Sequence, residues 1–148
     1  MIFTPKDSDF AEKVKDSFKR QRFMTLLNAK LFITEPGYCE LHVPYHVNIT
    51  QQHGFFHAGI VGTVADNAAG SAAFSLMDMN SSILTVEFKL NLMTPADGEL
   101  LIGKSSVLKY GKTLTICRSD IFILKDGIEK LCAASQSTLM ELRDKNDS

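Results

Sequence analysis

Net charge is what this sequence has least of. Its 16 lysines and arginines face 17 aspartates and glutamates, a formal charge of −1. That balance excludes a strongly basic nucleic-acid scaffold. Cysteine is scarce as well: Cys39, Cys117 and Cys132 are odd in number, widely spaced and free of any C-x-x-C pair. The pattern argues against a disulfide framework or a structural zinc site and predicts a reduced, cytoplasmic compartment. The start, Met1-Ile2-Phe3-Thr4-Pro5-Lys6-Asp7, lacks the charged opening and apolar run of a secretory signal. Internal repeats, linkers and low-complexity tracts are missing too. One stretch, 58–77, is long and apolar enough to suggest a membrane span, but Asp66 and Asn67 sit near its centre. An acid there costs roughly 2.5–3.5 kcal/mol on insertion scales, so a buried helix of a soluble protein is the better reading.

What is present is an ordinary globular composition, 45% apolar and 22% charged over 148 residues. A chain of this size buries roughly 68–70% of its unfolded surface, enough for a single domain spanning 1–148. Residues 7–27 read as a helix, with Phe10, Val14 and Phe18 four apart and Lys13, Lys15, Lys19 and Arg20 falling mostly off that apolar spacing. Asp7 or Ser8 is placed to cap its start. Leu31-Phe32-Ile33-Thr34 and Tyr38-Cys39-Glu40-Leu41-His42-Val43 flank Pro36-Gly37 and predict a hairpin. A Gly- and Ala-rich helix follows over about 57–79. Four strands come next, at 83–93, 100–108, 113–124 and 130–142, separated by turn residues that predict an antiparallel meander. The tail 143–148 is polar and expected to fray. The order predicts an α+β fold with an antiparallel sheet covering the middle helix. Helical glycine costs about 0.8–1 kcal/mol against alanine, so Gly59, Gly62 and Gly70 call for a reason; close approach of a sheet is the one expected.

All four histidines fall between positions 42 and 57. His53 and His57 have metal-ligand spacing on a helix, but Gly54 lies between them and the Glu of H-E-x-x-H is missing, so no metal is expected. G-x-S-x-G is absent, and Gly111-Lys112-Thr113 sits between strands instead of opening a helix as a phosphate loop does. Asp66 remains, alone in an apolar helix with no Lys or Arg within a turn. Either a neighbour such as Thr63 satisfies it, or it is a general base or nucleophile at a cleft wall. The amides of His57, Ala58 and Gly59 open the same helix and carry the positive end of its dipole, as an oxyanion hole requires. Nine residues at ~1.5 Å each put Asp66 about 13 Å from that start, so one helix cannot place both on one carbonyl; a second copy packed antiparallel can.

Gln51-Gln52-His53-Gly54-Phe55-Phe56-His57-Ala58-Gly59, continuing to Asp66-Asn67-Ala68, resembles the hot-dog-fold thioesterases of the phenylacetyl-CoA thioesterase type. Thr85-Val86-Glu87-Phe88, the later Thr94-Pro95-Ala96 and the Gly111-Lys112-Thr113 turn are similar to the next strand, its ending and the Gly-Arg/Lys-Thr turn of that family. The resemblance covers roughly residues 30–140. It implies a sheet wrapped around a long central helix and hydrolysis of an acyl-CoA with no cofactor. It gives Asp66 the role of base or nucleophile, the amides of Ala58 and Gly59 that of oxyanion hole, His57 the shaping of the loop, and Gln51 and Thr85 the binding of carbonyl or water. It also implies a homodimer with the site between subunits, and a further pairing of dimers is compatible with it. CoA phosphates need cations, for which Lys112, Lys109 and Arg118 are candidates; Phe55, Phe56 and Phe74 are candidates for an acyl pocket. Nucleic acid and membrane are not expected partners.

Two departures stand out: Gln51 replaces an Asn, and Ala58 replaces the first Gly of a pair, which strains the chain if that position needs positive φ. The alternatives are a hot-dog hydratase or dehydratase, which needs a His–acid pair such as His53 with Asp66 but whose Asp-x-Asn-Pro-x-His pattern is absent, and a non-catalytic acyl-thioester binding domain.

Overall fold

The first helical segment breaks where a single helix is expected. In a computed structural model, which describes residues 1–147, α1 runs Phe10–Arg20 and α2 runs Arg22–Leu26. Gln21 between them has an extended backbone (φ −80°, ψ 99°). Val14 and Phe18 of α1 are buried, as their spacing requires, and Lys19 and Arg20 sit in its last turn, where cations offset the helix dipole. Asp9 takes the cap position without a side-chain bond to the helix; the Asp7 carboxylate instead accepts from the Asp9 N–H at 2.9 Å.

The hairpin forms as expected, with β1 at Lys30–Glu35 and β2 at Tyr38–Pro44. Gly37 supplies the positive φ of +76° that its turn needs. The central helix α3, Ala58–Phe74, is shorter than the sequence suggests, because past its cap residue Ser75 the Leu76 and Met77 amides turn to the carbonyls three residues back. Four long strands follow: β3 (Ser82–Leu92), β4 (Leu100–Tyr110), β5 (Leu114–Lys125) and β6 (Ile128–Leu142). All six strands make one antiparallel sheet, and α3 packs against every one of them. This is the α+β hot-dog arrangement.

The expected meander holds for β4, β5 and β6 and fails at its first strand. Strand order is β1-β2-β4-β5-β6-β3, so β3 pairs with β6 and not with its successor β4. Residues 93–99 do not turn tightly; they cross the strand ends. The Met93 and Thr94 amides donate to the Cys132 carbonyl and the Glu99 amide to that of Leu124. Phe56 in turn donates to the Ala96 carbonyl, which ties this crossing to the start of α3. The displacement leaves β3 as an edge strand.

The core lies between α3 and the inner sheet face. Val61, Val64 and Ala65 meet Leu41, Leu101 and Ile121 toward the helix start; Ala69, Ala72 and Phe74 meet Val14, Cys39 and Leu139 toward its end. Close approach of helix and sheet is granted by a strand glycine and not by the helical ones. A Cβ on Gly103 of β4 would lie 2.6 Å from Val64 Cγ1, whereas one on Gly62 or Gly70 would meet nothing nearer than 3.6 Å. The segment after β6 is also tied down: the Arg20 guanidinium holds the Asp147 carboxylate at 2.8 Å and its carbonyl as well. Ser148, the end of the polar tail, lies outside the described residues. Among the described residues no helix is long and apolar enough to cross a membrane.

Candidate active site

Asp66 projects from the middle of α3 toward the edge strand, where the Thr85 hydroxyl donates to its Oδ1 at 2.7 Å. Register explains the meeting. Thr85 pairs with Leu139 of β6, and the bulge that follows it in β3 turns Phe88 and Leu90 onto the helix at Gly62. Thr63, the partner suggested by proximity in sequence, is committed elsewhere: its hydroxyl donates to the Gly59 carbonyl at 2.8 Å. Asp66 forms no ion pair among the described residues. Burial raises its carboxyl pKa above the ordinary 3.8, and the Thr85 hydrogen bond pulls it back down. Ser119 of β5 fixes the adjacent turn by donating to the Ala65 carbonyl at 2.9 Å.

At the helix start the three expected amide donors are not equivalent. The His57 N–H donates to the Ile49 carbonyl at 3.0 Å. His57 is the N-cap, and its Nδ1 accepts from the Gly59 N–H at 2.9 Å. The Ala58 N–H has no partner among the described residues, and Ala58 is exposed. Of the three amides, that of Ala58 alone is left without a protein partner among the described residues. Ala58 lies inside α3 and is absent from the residues with positive φ, so replacing glycine there strains nothing. Gln51 borders the same opening; its side-chain oxygen accepts from the His53 N–H, which leaves its amide nitrogen to face a ligand.

Three cavities frame these groups. An apolar one of about 430 Å³ joins Gln51 and Ala58 to Phe55, Phe56, Met93 and Pro95. A groove of about 620 Å³ runs along α3 from Ala58 and Gly62 to Asp66, between Phe88 and Leu90 of β3 and Phe23 and Met24 of α2. A third, about 370 Å³, continues from Asp66 under α1 to Phe74. The phenylalanines proposed for one pocket therefore divide between two. Gln21, Asn67, Arg20 and Asp147 border the cavities around Asp66 and were not legible beforehand. The Asn67 amide donates to the Gln21 side-chain oxygen at 2.5 Å, across 46 positions.

The three candidate cations do not converge. Arg118 lies on the sheet face opposite α3, since its neighbours Cys117 and Ser119 reach helix carbonyls, and it is ion-paired to Asp120 at 3.0 Å. Lys109 and Lys112 sit at the β4–β5 hairpin, where the Lys112 carbonyl accepts from Arg143 at 2.8 Å. None of the three borders the cavities at Asp66 or Ala58. His53 borders none of them either, so no His53–Asp66 pair forms within one chain. His53 and His57 precede the helix and share no helical face, and no group of three His, Cys, Asp or Glu suited to a metal occurs among the described residues. Burial pushes the Cys39 and Cys117 thiols up to about 12 and that of Cys132 to about 11, so none is a thiolate nucleophile at neutral pH.

The model of the thioesterase superfamily matches residues 53–130, a stretch that includes His57, Ala58, Gly59, Asp66 and Thr85. A solved thioesterase family protein from Silicibacter pomeroyi is 48% identical, with a TM-score of 0.89 over 90% of this chain and 98% of that one. A thioesterase from Haemophilus influenzae, 15% identical, has the same fold at a TM-score of 0.78, covering 97% of this chain and 94% of its own. A relative from Saccharolobus solfataricus that carries the provisional name of esterase is 25% identical over 134 residues, 90% of this chain and 87% of its own. The chain belongs to the thioesterase superfamily and is a thioester hydrolase.

Proposed function

We propose that the chain is an acyl-CoA thioesterase of the phenylacetyl-CoA thioesterase type, working as a homodimer with its sites between subunits. Water adds to the thioester carbonyl, and the bond to sulfur breaks to release CoA thiol and a carboxylic acid. Asp66 acts as general base or nucleophile, Thr85 orients the water or the carboxylate, and the Ala58 N–H of the partner copy takes the developing oxyanion. Gln51 binds the carbonyl, and His57 holds the loop by capping Gly59. Lys109, Lys112 and Arg118 remain the cations offered for CoA phosphates, now at separate places on the surface.

The observation that carries this reading is the pairing of a half-buried carboxylate with a hydroxyl in a cleft whose far end holds one open helix-start amide. The second copy is supported by β3. It is an edge strand eleven residues long, with Leu84 and Val86 more than half exposed, at 54% and 55%. An unpaired apolar edge of this length is a natural template for another strand. Two copies joined there in antiparallel fashion bring one Asp66 toward the other helix start, which removes the ~13 Å separation within a single helix.

The test is hydrolysis of an acyl-CoA panel followed with a thiol reagent, with two single variants and their mixture. Asp66→Asn removes the base. Ala58→Pro removes only the N–H, because proline suits the first helical position and His57 already has the extended backbone (φ −61°, ψ 140°) that precedes it. Each variant alone is expected to lose about 10²-fold or more in kcat. Mixed and re-paired, they are expected to recover activity neither has alone. No recovery rejects the shared site, and wild-type rates in either variant reject the mechanism.

A further inference from the structure

The cavity beyond Asp66 has no role in the chemistry just described. It runs away from the Ala58 amide, between α1 and the end of α3, with Val14, Phe74, Ile83 and Leu139 on its apolar side and Ser17 and Ser71 on its polar side. Its floor contains Gly70, one helical turn past Asp66. A Cβ there would meet only Leu139 Cδ2, at 3.9 Å, so the missing side chain answers to no packing constraint and leaves the cavity open. Glycine at mid-helix is otherwise unfavourable. The far end is closed by two groups from opposite ends of the sequence. Arg20 NH2 and Asp147 Oδ2 stand 2.8 Å apart, the Asp147 carbonyl also accepts from Arg20, and both residues border the cavity.

We propose that this cavity receives the acyl group of the thioester and that the Arg20–Asp147 clasp is its end stop, so that the chain hydrolyses acyl groups of limited length. The inference rests on Asp66 acting at the thioester carbon. A carbonyl held against Asp66 has its CoA arm directed along the groove toward β3, and the acyl arm has the cavity ahead of it, bounded at its far end by the clasp. The clasp is half-exposed, and such ion pairs are weak. It therefore sets a limit that longer chains overrun at a graded cost. Arg20 and Asp147 are specificity residues: they meet the far end of the acyl group and not the reacting atoms.

The experiment is a series of straight-chain acyl-CoAs of rising length, with kcat/KM measured for wild type, Arg20→Ala, Asp147→Ala, Gly70→Val and the charge-reversed pair Arg20→Asp with Asp147→Arg. Opening the clasp is expected to move the length limit upward, with the long-to-short ratio rising about fourfold per extra methylene accommodated. Gly70→Val is expected to move it downward while the protein melts no earlier than wild type. The reversed pair is expected to restore the wild-type limit, a rescue that general loosening does not produce. Calorimetric binding of the same series to Asp66→Asn protein reads the limit without turnover. A limit that stays fixed in both assays overturns the proposal, even when Asp66→Asn is inactive. A limit that moves in the binding assay while Asp66→Asn hydrolyses at the wild-type rate supports the cavity and rejects the catalytic reading instead.

Discussion

Asp66 is the residue on which the proposed chemistry turns. Burial holds its carboxyl above the ordinary 3.8, with Thr85 opposing. In the proposed mechanism the ionised form does the work, so hydrolysis is expected to fall as pH drops through that raised value. Thr85→Val removes the opposing hydrogen bond and is expected to shift the acid limb of kcat/KM to higher pH. The same sign governs stability. The folded state binds the Asp66 proton more tightly than the unfolded chain does, so ionisation costs stability above the unfolded pKa, and the cost fades as pH falls. Asp66→Asn is therefore expected to melt at or above the wild-type temperature at pH 7 while losing activity; a lower melting temperature contradicts the burial argument. Asp66 stood out in the sequence because a lone acid in an apolar helix is expensive. Its real partner did not stand out from spacing alone, because Thr85 is nineteen positions away and only strand register brings it there. Thr63 was the nearer guess, and a helix backbone carbonyl satisfies it first.

The elements divide in the same way into local and distant. The β1–β2 hairpin was legible because its turn residues carry the instruction themselves. The neighbour of β3 was not, since Lys89 pairs with Gln136 and no short-range signal specifies a partner so far along the chain. The helical glycines were misread for a related reason: their cost is visible in sequence, but what faces them is not. Two alanine substitutions separate the cases. Gly70→Ala places a methyl in open space and is expected to stabilise by about 0.8–1 kcal/mol through helix propensity. Gly103→Ala drives a Cβ to 2.6 Å from Val64 Cγ1 and 3.2 Å from its carbonyl, and is expected to destabilise by about 1–3 kcal/mol. Chemical denaturation of both, read against wild type, checks the pair.

At the scale of the whole molecule, the open β3 edge is where the proposed dimer forms. Val86 is exposed on that edge, so Val86→Lys leaves the core intact and adds a charge where a second strand is proposed to lie. The expected outcome is a sedimentation shift from dimer to monomer with loss of hydrolysis and little change in melting of the isolated fold; an active monomer contradicts the shared site.

The displaced strand also has a consequence in time. Synthesis makes Asp66 and Thr85 near the middle of the chain, yet β3 has one strand neighbour in the chain, β6, the last of the sheet. Until β6 is in place Thr85 has no register to hold it, and the apolar edge hangs free beside a finished helix. The carboxylate is thus made well before its hydroxyl can be held in place, so a nascent chain carries the acid of the proposed site without yet having the site.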